Sequence, residues 1–228
     1  EAAGVEVIAD MRGVGQNLRD HPSVAVRWHA EDDFPMPDVE TGPQKTALRY
    51  TAKDSELRND MIAVMRWNSP LREFMMSAGL YLAKAAGEIR LVSNDSHQQP
   101  ELDYHLLDHP YDLERMRAGV RMQIELGKHS AYKGILKEVK DPLPEDLESD
   151  ETLDKWLLSR AQTMHHISCT ARMGAADDPM AVTNQYGQVH GIEGLRIADL
   201  SIMPDCPRAN TNSPAMMIGE RIADFMSR

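Results

Sequence analysis

The side chains best suited to chemistry lie in the last quarter of the 228-residue chain, between Met164 and Phe225. Two adjacent histidines, His165 and His166, stand ahead of Ser168-Cys169-Thr170. Further on, Asn210-Thr211-Asn212-Ser213-Pro214 leads into an apolar-periodic run from Ala215 to Phe225. An imidazole titrates near neutrality and can take or give a proton at physiological pH. A carboxamide both donates and accepts hydrogen bonds. Pro214, with its fixed φ and no N–H, suits the first turn of a helix, and a helix start presents N–H groups that favour negative charge. The tail therefore offers a base, an amide and an anion-stabilising helix end. Asn210 also has a plainer reading, because asparagine near a helix start often only caps it. The nine histidines lack ligand spacing and no cysteine pair accompanies them, so no metal site is expected.

Composition bounds the partners. The formal net charge is −11 and the pI about 5.2, which argues against nucleic acid or an anionic membrane as a partner. Acid is densest from Asp141 to Asp154 and reads as solvated surface. Cys169 and Cys206 make no disulfide framework. They fit a reducing, cytoplasmic setting, with a single bridge left open, and most simply act as small packing residues. No apolar run approaches the roughly 18 residues of a membrane span, and the N-terminus carries no basic-then-apolar leader. The chain begins without Met in strand-like Val5-Glu6-Val7-Ile8, as the middle of a longer protein would.

The elements that must position the tail are read from periodicity and turn chemistry. Strands are expected at Gly4 to Ala9, Ser23 to Trp28, Ala47 to Thr51, Met61 to Trp67, Glu88 to Ser93 and Leu195 to Asp199. Arg12 to Pro22 is a glycine-punctuated loop, in which Gly13-Val14-Gly15 alone is weak evidence and His21 orders the turn. Glu31 to Pro43 reads as loop, and Leu71 to Ala86 as helix or strand. After Asp108-His109-Pro110, the spacing of Leu113, Met116, Val120 and Ile124 predicts a helix ended by Gly127. Ser149 or Asp150 caps a second helix running to about Gln162. Strands in the middle and helices toward the end give an α+β class, one β-rich layer backed by helices.

Several ordered motifs resemble the glucose–methanol–choline (GMC) family of flavin oxidoreductases. They are His166-Ile167-Ser168-Cys169-Thr170-Ala171-Arg172-Met173-Gly174, Gly194-Leu195-Arg196-Ile197-Ala198-Asp199-Leu200-Ser201-Ile202-Met203-Pro204, and Asn210 to Pro214 followed by Met217 to Asp224. The loop Gly13 to Pro22, and Gly87 to Ser93 with Pro100 to Asp103, are further landmarks. Cys169 stands where the family pattern has glycine. The family's Gly-x-Gly-x-x-Gly phosphate cradle is absent from the chain.

The resemblance implies an α+β fold: a substrate-binding β-sheet backed by helices, plus the C-terminal part of a Rossmann-like FAD-binding domain. Residues 1–22 would be a returning segment of that domain, 23–156 the substrate-binding domain, and 157–228 the segment completing both. It implies FAD-dependent oxidation of CH–OH groups in an alcohol or sugar-like donor. His166 would be the general base and Asn210 its hydrogen-bonding partner. Asp199, Leu200, Asn210, Thr211, Ser213 and Pro214 would border the cofactor, and Ser23 and His165 the substrate pocket, with His165 filling a spot where the family often has an aromatic ring. The N-terminal nucleotide-binding half would sit on another chain or a cleaved piece, leaving the isolated chain inactive. A homo-oligomer is compatible with this reading. The alternatives are a hydroxynitrile-lyase-type member, or a non-catalytic fragment unable to hold FAD alone.

Overall fold

The computed structural model describes residues 3–38, 40, 42 and 46–228, so residues 39, 41 and 43 of the expected Glu31 to Pro43 loop lie outside it. The chain divides into two compact units. One comprises Glu1–His21, Ala85–His105 and His165–Arg228; the other comprises Pro22–Lys84 and Leu106–Met164.

The second unit is an antiparallel sheet with helices on one face. Its strands are β2 (Pro22–Ala30), β3 (Ala47–Tyr50), β4 (Met61–Asn68), β5 (Glu73–Leu80), β8 (Leu136–Asp141) and β9 (Gln162–Thr163). The order is β3-β4-β5-β2-β8, with β9 pairing the start of β2. Alternation places Val24, Val26, Trp28 and Ala30 on one side of β2, as the two-residue period of a strand requires. Leu71 to Ala86, left open between helix and strand, holds strand β5. It hydrogen-bonds between β2 and β4 over its whole length.

Helix α1 (Pro110–Gly127) begins where the sequence signals it. Pro110 occupies the first turn, and the His109 ring accepts the Tyr111 N–H at 3.1 Å. Met116 and Val120 are fully buried against Val26, Ala78 and Leu80. Each such side chain contributes about 1.5–3 kcal/mol by leaving water. Gly127 closes α1 for another reason than a left-handed cap: a Cβ there would come within 2.9 Å of the Trp28 ring. Helix α2 (Asp150–Arg160) is capped by Ser149, whose hydroxyl accepts the Thr152 N–H at 3.1 Å. It adds Leu153, Trp156 and Leu157 to the same core. At its edge Arg115, 1 % exposed, bonds Asp60 at 3.0 Å and Asp112 at 2.6 Å.

The first unit carries a small sheet of β1 (Gln16–Leu18), β6 (Gly87–Arg90) and β7 (Glu101–Asp103), ordered β1-β6-β7. Helix α3 (Asn212–Met226) buries Ile218 and Ile222 against Ile202. Two expected strands do not form. Gly4 to Ala9 is almost wholly exposed and pairs with nothing described. Leu195 to Asp199 is bonded along one edge only, through Val189 N–H to Leu195 O, Ile197 N–H to Gly187 O and a single bridge to Gln188. The sequence pattern is that of a strand, but among the described residues it pairs with the 187–189 segment through an isolated bridge only, and no strand lies on its other edge. No helix among them is long and apolar enough to cross a membrane.

Candidate functional site

The site in the first unit is built from three segments stitched together by backbone. The loop containing Gly13 and Gly15 runs against Met180 and Ile89. A Cβ on Gly13 would meet the Met180 carbonyl at 2.2 Å; one on Gly15, whose φ is +79°, would meet the Ile89 carbonyl at 2.3 Å. Only glycine permits both approaches. Gly15 N–H donates to Thr170 O (2.8 Å), and Arg19 and Ser168 exchange both backbone bonds (3.0 and 2.9 Å). On its other side the 169–173 segment is held by Cys169 N–H to Leu200 O, Ala171 N–H to Ser201 O and Met173 N–H to Ile202 O, at 3.1, 2.9 and 2.7 Å. His166 thus emerges from a strip clamped from both sides.

Two non-glycine residues of this strip take left-handed backbone, His165 (φ 62°) and Cys169 (φ 75°). Such conformations are uncommon outside glycine. That accounts for the glycine in the family pattern at Cys169, and it marks strain on both flanks of His166.

Three buried groups converge on His166. Asp20 Oδ1 accepts the backbone N–H of His21 at 2.6 Å and of His166 at 3.0 Å. The Nδ1 atoms of His21 and His166 lie 2.8 Å apart, with the rings edge to face, their centroids 5.0 Å apart. Cys206 Sγ is 3.1 Å from His21 Nε2, and its thiol donates to the His166 carbonyl at 3.7 Å. His21 is fully buried and His166 is 8 % exposed. Nε2 of His166 has no hydrogen-bond partner among the described residues. Burial lowers the His166 pKa below the ordinary 6.5; the Asp20 carboxylate opposes this and His165 adds to it. A neutral imidazole anchored at Nδ1, with Nε2 unengaged, can accept a proton. Burial pushes the thiols of Cys169 and Cys206 up to about 11 and about 12, so both are protonated. Neither is in a disulfide.

The other expected residues sit as follows. His165 is exposed beside His166. Asn210 is exposed and no hydrogen bond joins it to His166. Asp199 turns its carboxylate onto the Ser201 N–H (2.8 Å), capping the turn Leu200–Ile202, and Leu200 packs near Ile202. Thr211 is the buried N-cap of α3 without a side-chain cap bond; Ser213 is exposed. Helix α3 starts at Asn212, so Pro214 is its third residue, still in the first turn, where a missing N–H costs nothing. Ser23 belongs to the other unit, where its hydroxyl donates to Gln162 O at 3.4 Å. Asp20 and Cys206 escaped sequence reasoning. The only signal for Asp20 was its place in the Gly13 to Pro22 landmark, and Cys206 gave none.

A cavity of about 580 Å³ lies elsewhere on this unit, lined by Met173, Asn184, Tyr186 and His190 among others, and His166 is not among its walls. No group of three or more His, Cys, Asp or Glu that could hold a metal is found among the described residues.

Residues 83–219 match the GMC oxidoreductase family. A 5-(hydroxymethyl)furfural oxidase of Methylovorus sp. is 33 % identical over 243 residues, covering 98 % of this chain and 45 % of the relative. An oxygen-dependent choline dehydrogenase of Stenotrophomonas maltophilia is 37 % identical over 255 residues, covering 97 % and 45 %. Among solved structures, pyridoxine 4-oxidase from Mesorbium loti superposes with a TM-score of 0.88 at 21 % identity, covering 99 % of this chain and 46 % of that one. A formate oxidase superposes at 0.86 with 24 % identity, covering 99 % and 49 %. At those identities the superpositions speak for the fold alone. The chain spans about half the length of the relatives it matches. By the family match over most of its length, the chain belongs to the GMC oxidoreductase family.

Proposed function

We propose that this chain forms the substrate-facing and base-bearing part of an FAD-dependent oxidoreductase acting on the CH–OH group of a small alcohol or sugar-like donor. The observation that carries the reading is His166: anchored at Nδ1 in the interior, held below its ordinary pKa, and unengaged at Nε2. Relatives named for a hydroxymethyl compound and for choline support the substrate class.

In this reading His166 Nε2 takes the hydroxyl proton as the C–H bond opens. Asn210, on the approach to α3, holds the substrate oxygen by its carboxamide. His165 borders the pocket on the same unit as His166. When bound, FAD would supply the hydride acceptor. The first turn of α3 fits one end of that cofactor: its N-cap Thr211 offers no side-chain acceptor to the leading N–H groups, and such a helix end favours negative charge. Thr211, Ser213 and Pro214 would hold that end, and Asp199 and Leu200 would border the rest. The chain has no glycine-rich phosphate cradle, so the nucleotide portion falls to an N-terminal half working with it. Exposed Ile8, Leu195, Met216 and Met217 in the first unit are suited to being covered by such a half. A reducing, cytoplasmic setting accords with two free thiols.

The test is addition of an alcohol donor to the complete flavoprotein without oxygen. Bleaching of the flavin absorbance is expected. A protein that holds flavin but turns over its substrate with no bleaching is performing lyase-type chemistry instead. One that never acquires flavin absorbance removes the cofactor from the account.

A further inference from the structure

We infer that His21 is a positioning residue that sets the tautomer of His166, through a directed chain of hydrogen bonds from His166 Nδ1–H to His21 Nδ1 and from His21 Nε2–H to Cys206 Sγ. The inference rests on His166 being the base.

Two facing Nδ1 atoms at 2.8 Å can share only one proton, so one ring donates and the other accepts. The direction decides what His166 can do. If His21 donates, His166 carries its own hydrogen on Nε2 and has no lone pair there to offer. If His166 donates, Nε2 is the lone-pair nitrogen and the base is ready. The far end of the chain favours the second arrangement. Cys206 Sγ sits 3.1 Å from His21 Nε2, and its hydrogen has an acceptor of its own, the His166 carbonyl at 3.7 Å. The sulfur can then receive the His21 Nε2–H, leaving His21 Nδ1 as an acceptor. Ser168 also touches the Cys206 thiol.

Burial keeps that thiol protonated, so its hydrogen is available to the His166 carbonyl. Asp20 holds both histidines by their backbone N–H groups and fixes the distance between the rings. A histidine whose working nitrogen is chosen by the bond its other nitrogen makes is a recurring device, here with a second imidazole as the partner.

The experiment uses the complete flavoprotein labelled with 15N-histidine, at a pH well above 6.5, read by long-range 1H–15N correlation. The expected result is His166 protonated at Nδ1 and bare at Nε2. His21→Leu removes the acceptor: His166 should lose that preference, and the rate of anaerobic flavin reduction should fall about 100-fold or more, as for a wrong tautomer, with substrate binding little changed. His21→Asn places a carboxamide where Nδ1 stood and should restore both. His166 found as the Nε2–H tautomer in the unaltered protein overturns the inference, as does an unchanged tautomer in His21→Leu. If His21→Leu does not fold, the unaltered protein's tautomer alone decides. His166→Ala with full activity would instead defeat the base assignment, whatever the tautomer.

Discussion

Asp20 Oδ1 lies 3.0 Å from the backbone nitrogen of His166, across 146 residues of chain. The same oxygen receives the His21 N–H, so one carboxylate aligns both rings. Asp20→Ala would leave two buried N–H groups without an acceptor. At about 1–3 kcal/mol for each such group, urea unfolding should show several kcal/mol lost. Asp20→Asn keeps the accepting oxygen and removes the charge. It should fold nearly as well, but because that charge raises the His166 pKa, the acid limb of its pH–rate profile should move to lower pH.

The pH dependence of the unaltered protein has a definite sign. Burial holds His166 below 6.5 in the folded state. The unfolded chain then binds more protons than the folded one as acid is added. The stability tied to this group is fully present above 6.5 and is lost as pH falls through the lower folded value. Between pH 7.5 and 5, the urea midpoint should fall further in the unaltered protein than in His166→Asn. Equal falls would mean that His166 titrates alike in both states.

In the second unit, Arg115 bonds both Asp60 and Asp112, and all three are buried. Removing one member of a buried ion cluster leaves uncompensated charge and costs about 3–5 kcal/mol. Arg115→Met should show a loss of that size in urea unfolding. A loss under about 1 kcal/mol would contradict a buried cluster that depends on Arg115.

Gly15 and Gly134 share φ +79° but differ in surroundings. A Cβ at Gly134 meets nothing within 4 Å, so Gly134→Ala should cost only the left-handed strain, about 1–2 kcal/mol. At Gly15 the Ile89 carbonyl stands in the way, and the loop carrying Asp20 and His21 must move. Gly15→Ala should cost more in thermal unfolding and also slow flavin reduction, an effect not expected for Gly134→Ala.

What the sequence disclosed depended on how local the determinant was. Helices α1 and α2 were legible because Pro110, Ser149 and the 3.6-residue spacing act within a few residues. Strand β2 was legible because both its faces alternate. Strand β8, reading Leu136-Lys137-Glu138-Val139-Lys140-Asp141, was not, since a polar edge strand is defined by its neighbour. Leu195 to Asp199 looked like a strand and lacks the second neighbour that would make it one. At the site, His166 was legible from its motif. The convergence of His21, Asp20 and Cys206 was not, because bonds spanning 145 and 185 residues leave no trace in local spacing.

The role of His166 as the proton acceptor is tested most directly by the rate of anaerobic flavin reduction by substrate in His166→Ala of the complete enzyme. A fall of about 10²–10⁴-fold, the usual contribution of a general base, is predicted, with flavin content unchanged. Reduction at the unaltered rate would contradict it.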